Sequence, residues 1–154
     1  MHPRGSTSVA AIIGVLVGAT AGLGAYTFIY AHGASYLGND ARACANCHIM
    51  RDEYDSWNHS SHRLVAACND CHAPHALLPK LFTKALNGFN HSLAFTTGRF
   101  HEPVEIGPRN LRITEAACRS CHAVLVAEID RASAEGAAPA LTCTGCHRDV
   151  GHLH

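Results

Sequence analysis

Four copies of the pentapeptide Cys-x-x-Cys-His constrain this chain more than any other feature of its sequence. They stand at residues 44–48, 68–72, 118–122 and 143–147. This spacing is the attachment signal for c-type haem, in which two thiols add to the porphyrin and the histidine becomes an axial ligand of the iron. No cysteine is left for a disulfide or a zinc site, so the sequence predicts a tetrahaem protein attached through Cys44, Cys47, Cys68, Cys71, Cys118, Cys121, Cys143 and Cys146.

Residues 9–31 carry no charge and form an apolar stretch near the N-terminus. As a helix rising about 1.5 Å per residue, this stretch spans a hydrocarbon core of about 30 Å. The apolar part of a cleaved signal peptide normally runs only about 7–15 residues. We therefore predict a single-pass anchor in a bacterial inner membrane. Residues 1–8, with Arg4, would be cytoplasmic and residues 32–154 would form a periplasmic tetrahaem domain.

Residues 32–154 form too short a segment to enclose four haems with a large apolar core of its own. β-branched residues are sparse and no hairpin turn stands out. The sequence thus predicts a mostly α-helical and irregular multihaem cytochrome c in which the haems form most of the core. The nearly equal spacing within each pair of motifs indicates two di-haem units, at about 40–75 and 115–154, joined by an insert at 76–114.

Two stretches outside the motifs predict further contacts. Gly14, Gly18 and Gly22 share one face of the anchor helix, which favours self-association, although glycine is common in membrane spans. In the insert, an apolar stripe at helical spacing faces either a core or the membrane surface, and Lys80 and Lys84 near it suit the second alternative. The stripe comprises Leu78, Phe82, Ala85, Leu86, Phe89 and Leu93. We expect this helix to end at Thr97-Gly98.

The histidines outside the motifs are candidates for the distal axial positions. His62 is the strongest, and His59, nearly on the same helix face, is then surplus. His152 follows the last motif too closely to reach the opposite face of the same iron, so it should serve another haem. His75 and His101 fit ordinary hydrogen bonding better than ligation.

Met50 stands two residues after His48 and is a candidate thioether ligand of the first haem. Its position favours the same face of the iron as His48. In that case His48 is displaced and the opposite face is left open, which predicts a high-spin haem. The alternatives are His48 as the ligand and Met50 as packing filler.

Several stretches of the chain resemble the NapC/NrfH family of membrane-anchored tetrahaem c-type cytochromes, and most closely the small subunits of cytochrome c nitrite reductases. Apart from the anchor, they are residues 36–40, 44–50, 54–62, 68–75, 84–91 and 100–103. The resemblance implies oxidation of menaquinol near the first haem. Electrons would then pass through four haems to a periplasmic nitrite reductase catalytic subunit.

The resemblance also implies a set of iron ligands. Met50 would bind the first haem, and the other motif histidines, His72, His122 and His147, would bind the second, third and fourth. Of the distal histidines, His152 is expected on the third haem and His62 on the fourth. The sixth ligand of the second haem would be a lysine of the catalytic subunit.

Lys84 matches a lysine of the family's quinol pocket, and His91 stands at or near a position where an acidic residue is expected. His91 could accept the quinol proton or could ligate the first haem, and these two roles stay open. The alternative functions are a NapC-like quinol dehydrogenase that feeds a nitrate reductase or several periplasmic acceptors, a haem enzyme that reduces a small ligand at an open first haem, and a passive cytochrome without a quinol site.

Overall fold

The computed structural model describes residues 4–136 and 141–152. Within these ranges the regular structure is entirely helical. The α-helices are α1 (Arg4–Tyr30), α2 (Arg51–Asn58), α3 (Cys68–His72), α4 (Leu77–Thr97), α5 (Pro108–Cys121), α6 (Ala123–Ala134) and α7 (Cys143–Cys146), and three short 3₁₀ helices cover Gly33–Leu37, Ala41–Asn46 and His48–Met50. The predicted mostly helical class is confirmed.

The chain divides into two compact units, Met1–Gly38 and Asn39–His154. The first contains α1, and within it Ser8–Tyr30 is long and apolar enough to cross a membrane, with a mean hydropathy of 2.0. The hydroxyls of Thr20 and Thr27 donate to the carbonyls of Leu16 and Leu23, one turn earlier. These bonds satisfy the two threonine hydroxyls of the apolar stretch within the helix itself.

The glycine face of α1 is open. A Cβ added at Gly14, Gly18 or Gly22 would have no atom within 4 Å beyond the helix itself. The space suits close approach of a second helix, and self-association through this face stays a prediction.

The second unit buries very few of its own side chains. Among the described residues only Ala41, Ala43, Ala73, Ala117 and Thr83 are buried. Four of these five side chains are single methyl groups, so the polypeptide supplies almost no apolar core by itself. Its stability must come from groups other than packed aliphatic side chains.

Helix α4 ends where the sequence predicts. Gly98 adopts a left-handed conformation with φ 68°, and its amide bonds to the carbonyl of Ala94. At the other junction, Pro108 is the first residue of α5, a position where its missing amide hydrogen costs nothing.

The insert helix is joined to α5 by polar side chains. The Arg109 guanidinium donates to the Thr83 hydroxyl at 3.0 Å, and the Asn110 amide donates to Asn87 Oδ1 at 3.3 Å. Arg109 also lies 5.9 Å from the centre of the Phe82 ring. Since Thr83 is only 1% exposed, these contacts fix the rotation of α4 about its axis.

Candidate haem and quinol sites

Three of the four motifs lie on α-helical turns. Cys68 and Cys71 are on α3, the third cysteine pair is at the end of α5, and the fourth pair forms α7. In a helix, residues three apart lie on the same face, so both thiols of a pair can reach one porphyrin. The first motif differs, because its Cys47 is extended between two 3₁₀ helices, with φ −83° and ψ 119°.

Two motif histidines each lie beside a histidine from another part of the chain. The ring centres of His62 and His122 are 6.0 Å apart, and those of His72 and His152 are also 6.0 Å apart. An iron held by two imidazoles through bonds of about 2 Å puts the ring centres about 6 Å apart. The residues present therefore fit two bis-histidine haem sites.

These pairs are not those expected from the resemblance. His62 lies beside the histidine of the third motif and not the fourth, and His152 lies beside that of the second motif and not the third. Among the described residues, His147 of the fourth motif makes no ring contact with another histidine. Among the described residues, the fourth motif has no second histidine beside it, and neither does the first, whereas the resemblance implied that the second motif would lack one.

Hydrogen bonds orient the two distal histidines. His152 Nδ1 lies 3.0 Å from Glu53 Oε2 and 3.1 Å from the Glu53 carbonyl oxygen. His62 Nδ1 lies 3.1 Å from the Ser61 hydroxyl. In both rings these contacts involve Nδ1 and leave Nε2 available to a metal. Sequence reasoning missed Glu53, because nothing in its own segment points to a histidine at the other end of the chain.

The remaining histidines of this region have other partners. His59 Nδ1 lies 2.7 Å from the Asp55 carbonyl, and His75 Nε2 lies 3.0 Å from the Asp70 carbonyl. The contact of His75 occupies Nε2, whereas that of His59 occupies Nδ1 and leaves Nε2 free. That neither residue is a distal ligand stays a prediction.

Burial, together with nearby His152 and His91, lowers the pKa of His72 to about 4. The imidazole is therefore neutral at neutral pH. A neutral ring has a free lone pair, which is the form that binds a metal.

Apolar side chains follow each histidine of the His62–His122 pair in the sequence. Leu64 and Val65 follow His62, and Val124 and Leu125 follow His122; each of the four is at least 76% exposed. Exposed aliphatic groups next in sequence to the two ligands suit contact with the apolar surface of a porphyrin. Both the two imidazoles and the aliphatic side chains that follow them in the sequence thus suit a haem.

The first motif presents Met50 and His48 differently. They are the two ends of one short 3₁₀ helix, in which Met50 is half-buried and His48 is exposed. The inward position of Met50 favours it as the protein ligand of the first haem. The ligand assignment itself stays a prediction.

Helix α4 carries both predicted quinol-site residues. Lys84 and His91 are seven residues apart and lie on similar faces two turns apart. Burial and neighbouring Lys80 lower the pKa of Lys84, and Cys44 of the first motif is close enough to oppose that shift. Lys84 therefore lies near the first motif, and its role in a quinol site stays a prediction.

His91 lies toward the second motif. Burial lowers its pKa, and it is close enough to affect the pKa of His72. Its ring centre is 6.3 Å from that of Phe95, which in turn packs against Phe100 at 4.9 Å. An aromatic wall thus stands beside the candidate proton acceptor.

The profile of the NapC/NirT cytochrome c family, N-terminal region, matches residues 5–154. The chain belongs to this family. It is 38% identical to the cytochrome c-type protein NrfH of Wolinella succinogenes, over 85% of this chain and 78% of that protein. It is 36% identical to the cytochrome c nitrite reductase subunit NrfH of Nitratidesulfovibrio vulgaris, over 90% and 82%.

A more distant relative is the cytochrome c-type protein NapC of Escherichia coli, which is 26% identical over 74% of this chain and 68% of that protein. Among solved structures, the fold is similar to a chain in the crystal structure of the cytochrome c nitrite reductase NrfHA complex bound to the HQNO inhibitor. The TM-score is 0.65 and the identity 35%, with 90% of each chain covered.

Proposed function

We propose that this protein is the membrane-anchored electron-donating subunit of a cytochrome c nitrite reductase complex. It would carry four haems c, oxidise menaquinol and pass the electrons to a periplasmic catalytic subunit that reduces nitrite. The observation that carries the proposal is the 6.0 Å spacing of two histidine pairs, each joining a motif to a distant segment. Bound haem supplies one-electron redox chemistry at these sites.

The quinol site is proposed on the face of α4 that carries Lys84. Oxidation of a quinol releases two protons with two electrons, so the site needs a donor that binds a quinol oxygen, a base that accepts one proton, and access to water, which takes the other. The Lys84 ammonium is the donor. The neutral His91 imidazole is the base, and its lowered pKa keeps it unprotonated at neutral pH.

The catalytic partner is proposed to dock at the fourth motif. Among the described residues of the second unit, His147 has no second histidine beside it. The same is true of His48 in the first motif, but His48 is exposed. A side chain of the partner could complete that site and give electrons an exit. The exit would then lie at the motif that is farthest in sequence from Lys84.

The orientation follows from the chemistry. Covalent haem attachment takes place outside the cytoplasm in bacteria, so the second unit is assigned to the periplasm. The N-terminal side of α1 is then cytoplasmic, which agrees with Arg4 and the absence of acidic residues in the first eight positions.

The quinol step can be tested with the holoprotein in detergent. Anaerobic addition of a water-soluble menaquinol analogue should reduce the haems, as followed by their visible absorption, and HQNO should inhibit this reduction. Lys84→Leu should slow it at least tenfold. Lys80→Leu, one turn earlier on α4, is the matched control and should not slow it. Unchanged rates with Lys84→Leu would contradict the proposed site.

The partner can be tested by reconstitution with a cytochrome c nitrite reductase catalytic subunit. The pair should copurify and reduce nitrite to ammonium at the expense of menaquinol. Transfer to a nitrate reductase but not to a nitrite reductase would instead favour the NapC-like alternative. Nitrite reduction by this chain alone would favour a haem enzyme.

A further inference from the structure

The third and fourth motifs are joined by a carboxylate. Glu115 lies on α5, three residues before Cys118. Its Oε2 accepts the backbone amide of Cys143 at 2.7 Å, while Oε1 accepts the amide and the hydroxyl of Thr144 at 2.9 and 2.7 Å. One side chain of the third-motif helix thus holds the residue that attaches the fourth haem.

This carboxylate caps the N-terminus of α7. Thr142, the residue before α7, makes no side-chain capping bond. The first amides of a helix have no partner within the helix, and an acceptor supplied from elsewhere stabilises them. Glu115 provides that acceptor for Cys143 and Thr144, so the short α7 depends on α5 for its position.

Arg119 completes the connection from inside the third motif. It occupies the first variable position of that motif and donates to Glu115 Oε2 at 3.1 Å and to Asp130 of α6 at 2.9 Å. The same guanidinium donates to the Leu141 carbonyl at 3.0 Å and lies 3.3 Å from Cys143 Sγ. A formal positive charge therefore touches the sulfur that attaches the fourth haem.

Hydrogen bonds from Thr144 and Cys143 outweigh burial and lower the pKa of Glu115 to about 2. The carboxylate is therefore ionised at every pH at which the protein would work. Its side chain is only 13% exposed and that of Arg119 is 32% exposed. Limited contact with water means that these two charges are less screened than surface charges.

We propose that Glu115 and Arg119 are positioning residues that seat the fourth haem against the third and set its reduction potential through two fixed, opposite charges. The inference rests on the proposed haem sites and does not depend on quinol oxidation or on the identity of the partner. A negative charge near an iron stabilises its oxidised state, and a positive charge stabilises its reduced state.

The test uses the sign of the effect. In the four-haem protein, Glu115→Gln should move one of the four reduction potentials upward and Arg119→Gln should move one downward. Each should change the electron-exchange equilibrium of that haem about tenfold, or about 59 mV for one electron. Combining the two substitutions should bring the potential back toward that of the unmodified protein. Glu128→Gln, which breaks the exposed Glu128–Arg131 pair of α6, is the matched control and should move no potential.

Spectroelectrochemical titration measures the potentials, and mass spectrometry counts the haems. Shifts of the same sign in both variants, or no shift in either, would overturn the inference, because a merely structural disturbance has no reason to follow the charge. If Glu115→Gln prevents attachment of the fourth haem alone, the seating role is supported, and Glu115→Asp should restore attachment. Failure of the unmodified chain to bind four haems would contradict the proposed function itself.

Discussion

The imidazole of His152 lies 6.0 Å from that of His72, although the two residues belong to opposite halves of the haem-binding unit. This contact joins the last described residue of the chain to the second motif. It closes the unit into a single structure without packed aliphatic side chains. Iron coordination at such a pair contributes directly to folding, because the ligands are brought together only in the native state.

The first prediction concerns the pairing of axial ligands. Replacing one histidine of a bis-histidine site turns a low-spin haem into a high-spin one, which electron paramagnetic resonance detects. His62→Ala and His122→Ala should each remove one low-spin haem, and the double variant should also remove only one, because both residues serve one iron. His62→Ala with His72→Ala should remove two. If the His62/His122 double variant instead removes two low-spin haems, His62 serves a different haem from His122. His75→Ala is the control and should leave the number of low-spin haems unchanged.

The second prediction concerns Glu53, whose carboxylate lies 3.0 Å from His152 Nδ1. A carboxylate acceptor makes the coordinating nitrogen more basic and fixes the ring, and loss of such a partner typically weakens a metal site by about 10- to 100-fold. Glu53→Gln should therefore raise one reduction potential and loosen the His152 bond. Potentiometric titration measures this change. Asp52→Asn, the adjacent acid on α2, is the control; equal effects of the two would argue against a specific contact.

A third prediction concerns the anchoring of α4. Thr83→Val removes the acceptor for Arg109 at the one polar side chain that is buried among the described residues. Leaving a part-buried guanidinium without this bond should cost about 1–3 kcal/mol of stability. The same change lets the Lys84 helix rotate, so the KM for a menaquinol analogue should rise more than kcat falls. Denaturant unfolding and quinol kinetics test both effects. Thr97→Val, at an exposed position of the same helix, should alter neither.

The fourth prediction is a pH dependence of quinol oxidation. Burial lowers the pKa of His91 below 6.5. Protonated imidazole cannot accept a proton, so the rate should fall as the pH falls through that lowered pKa and should be constant above about pH 7. Stability should follow the same direction, because the unfolded chain binds a proton to this histidine more readily than the fold does. His91→Gln should abolish the acid limb of the rate profile, whereas His101→Gln should retain it.

Much of this protein could be predicted from its sequence because the deciding interactions are local. Two cysteines can bind one haem when they lie three residues apart on one helical turn. The motifs at 68–72 and 143–147 can therefore be recognised from the sequence alone. The apolar run of α1 and the end of α4 at Gly98 also depend on neighbouring residues alone. Lys84 was found through its surroundings in the sequence, and the fold places it near the first motif.

The tertiary structure decided which distant groups meet. His62 faces His122 and His152 faces His72 because of how the intervening helices pack, and no local pattern encodes that choice. The same holds for Glu53 beside His152. Nothing in the sequence around Glu115 distinguishes it from an exposed acidic residue of a helix. Its contact with α7 forms only in the folded chain. The spacing of neighbouring residues determines where the haems are covalently attached. Axial pairing and the charges around each haem depend instead on long-range contacts, which form only when the chain folds.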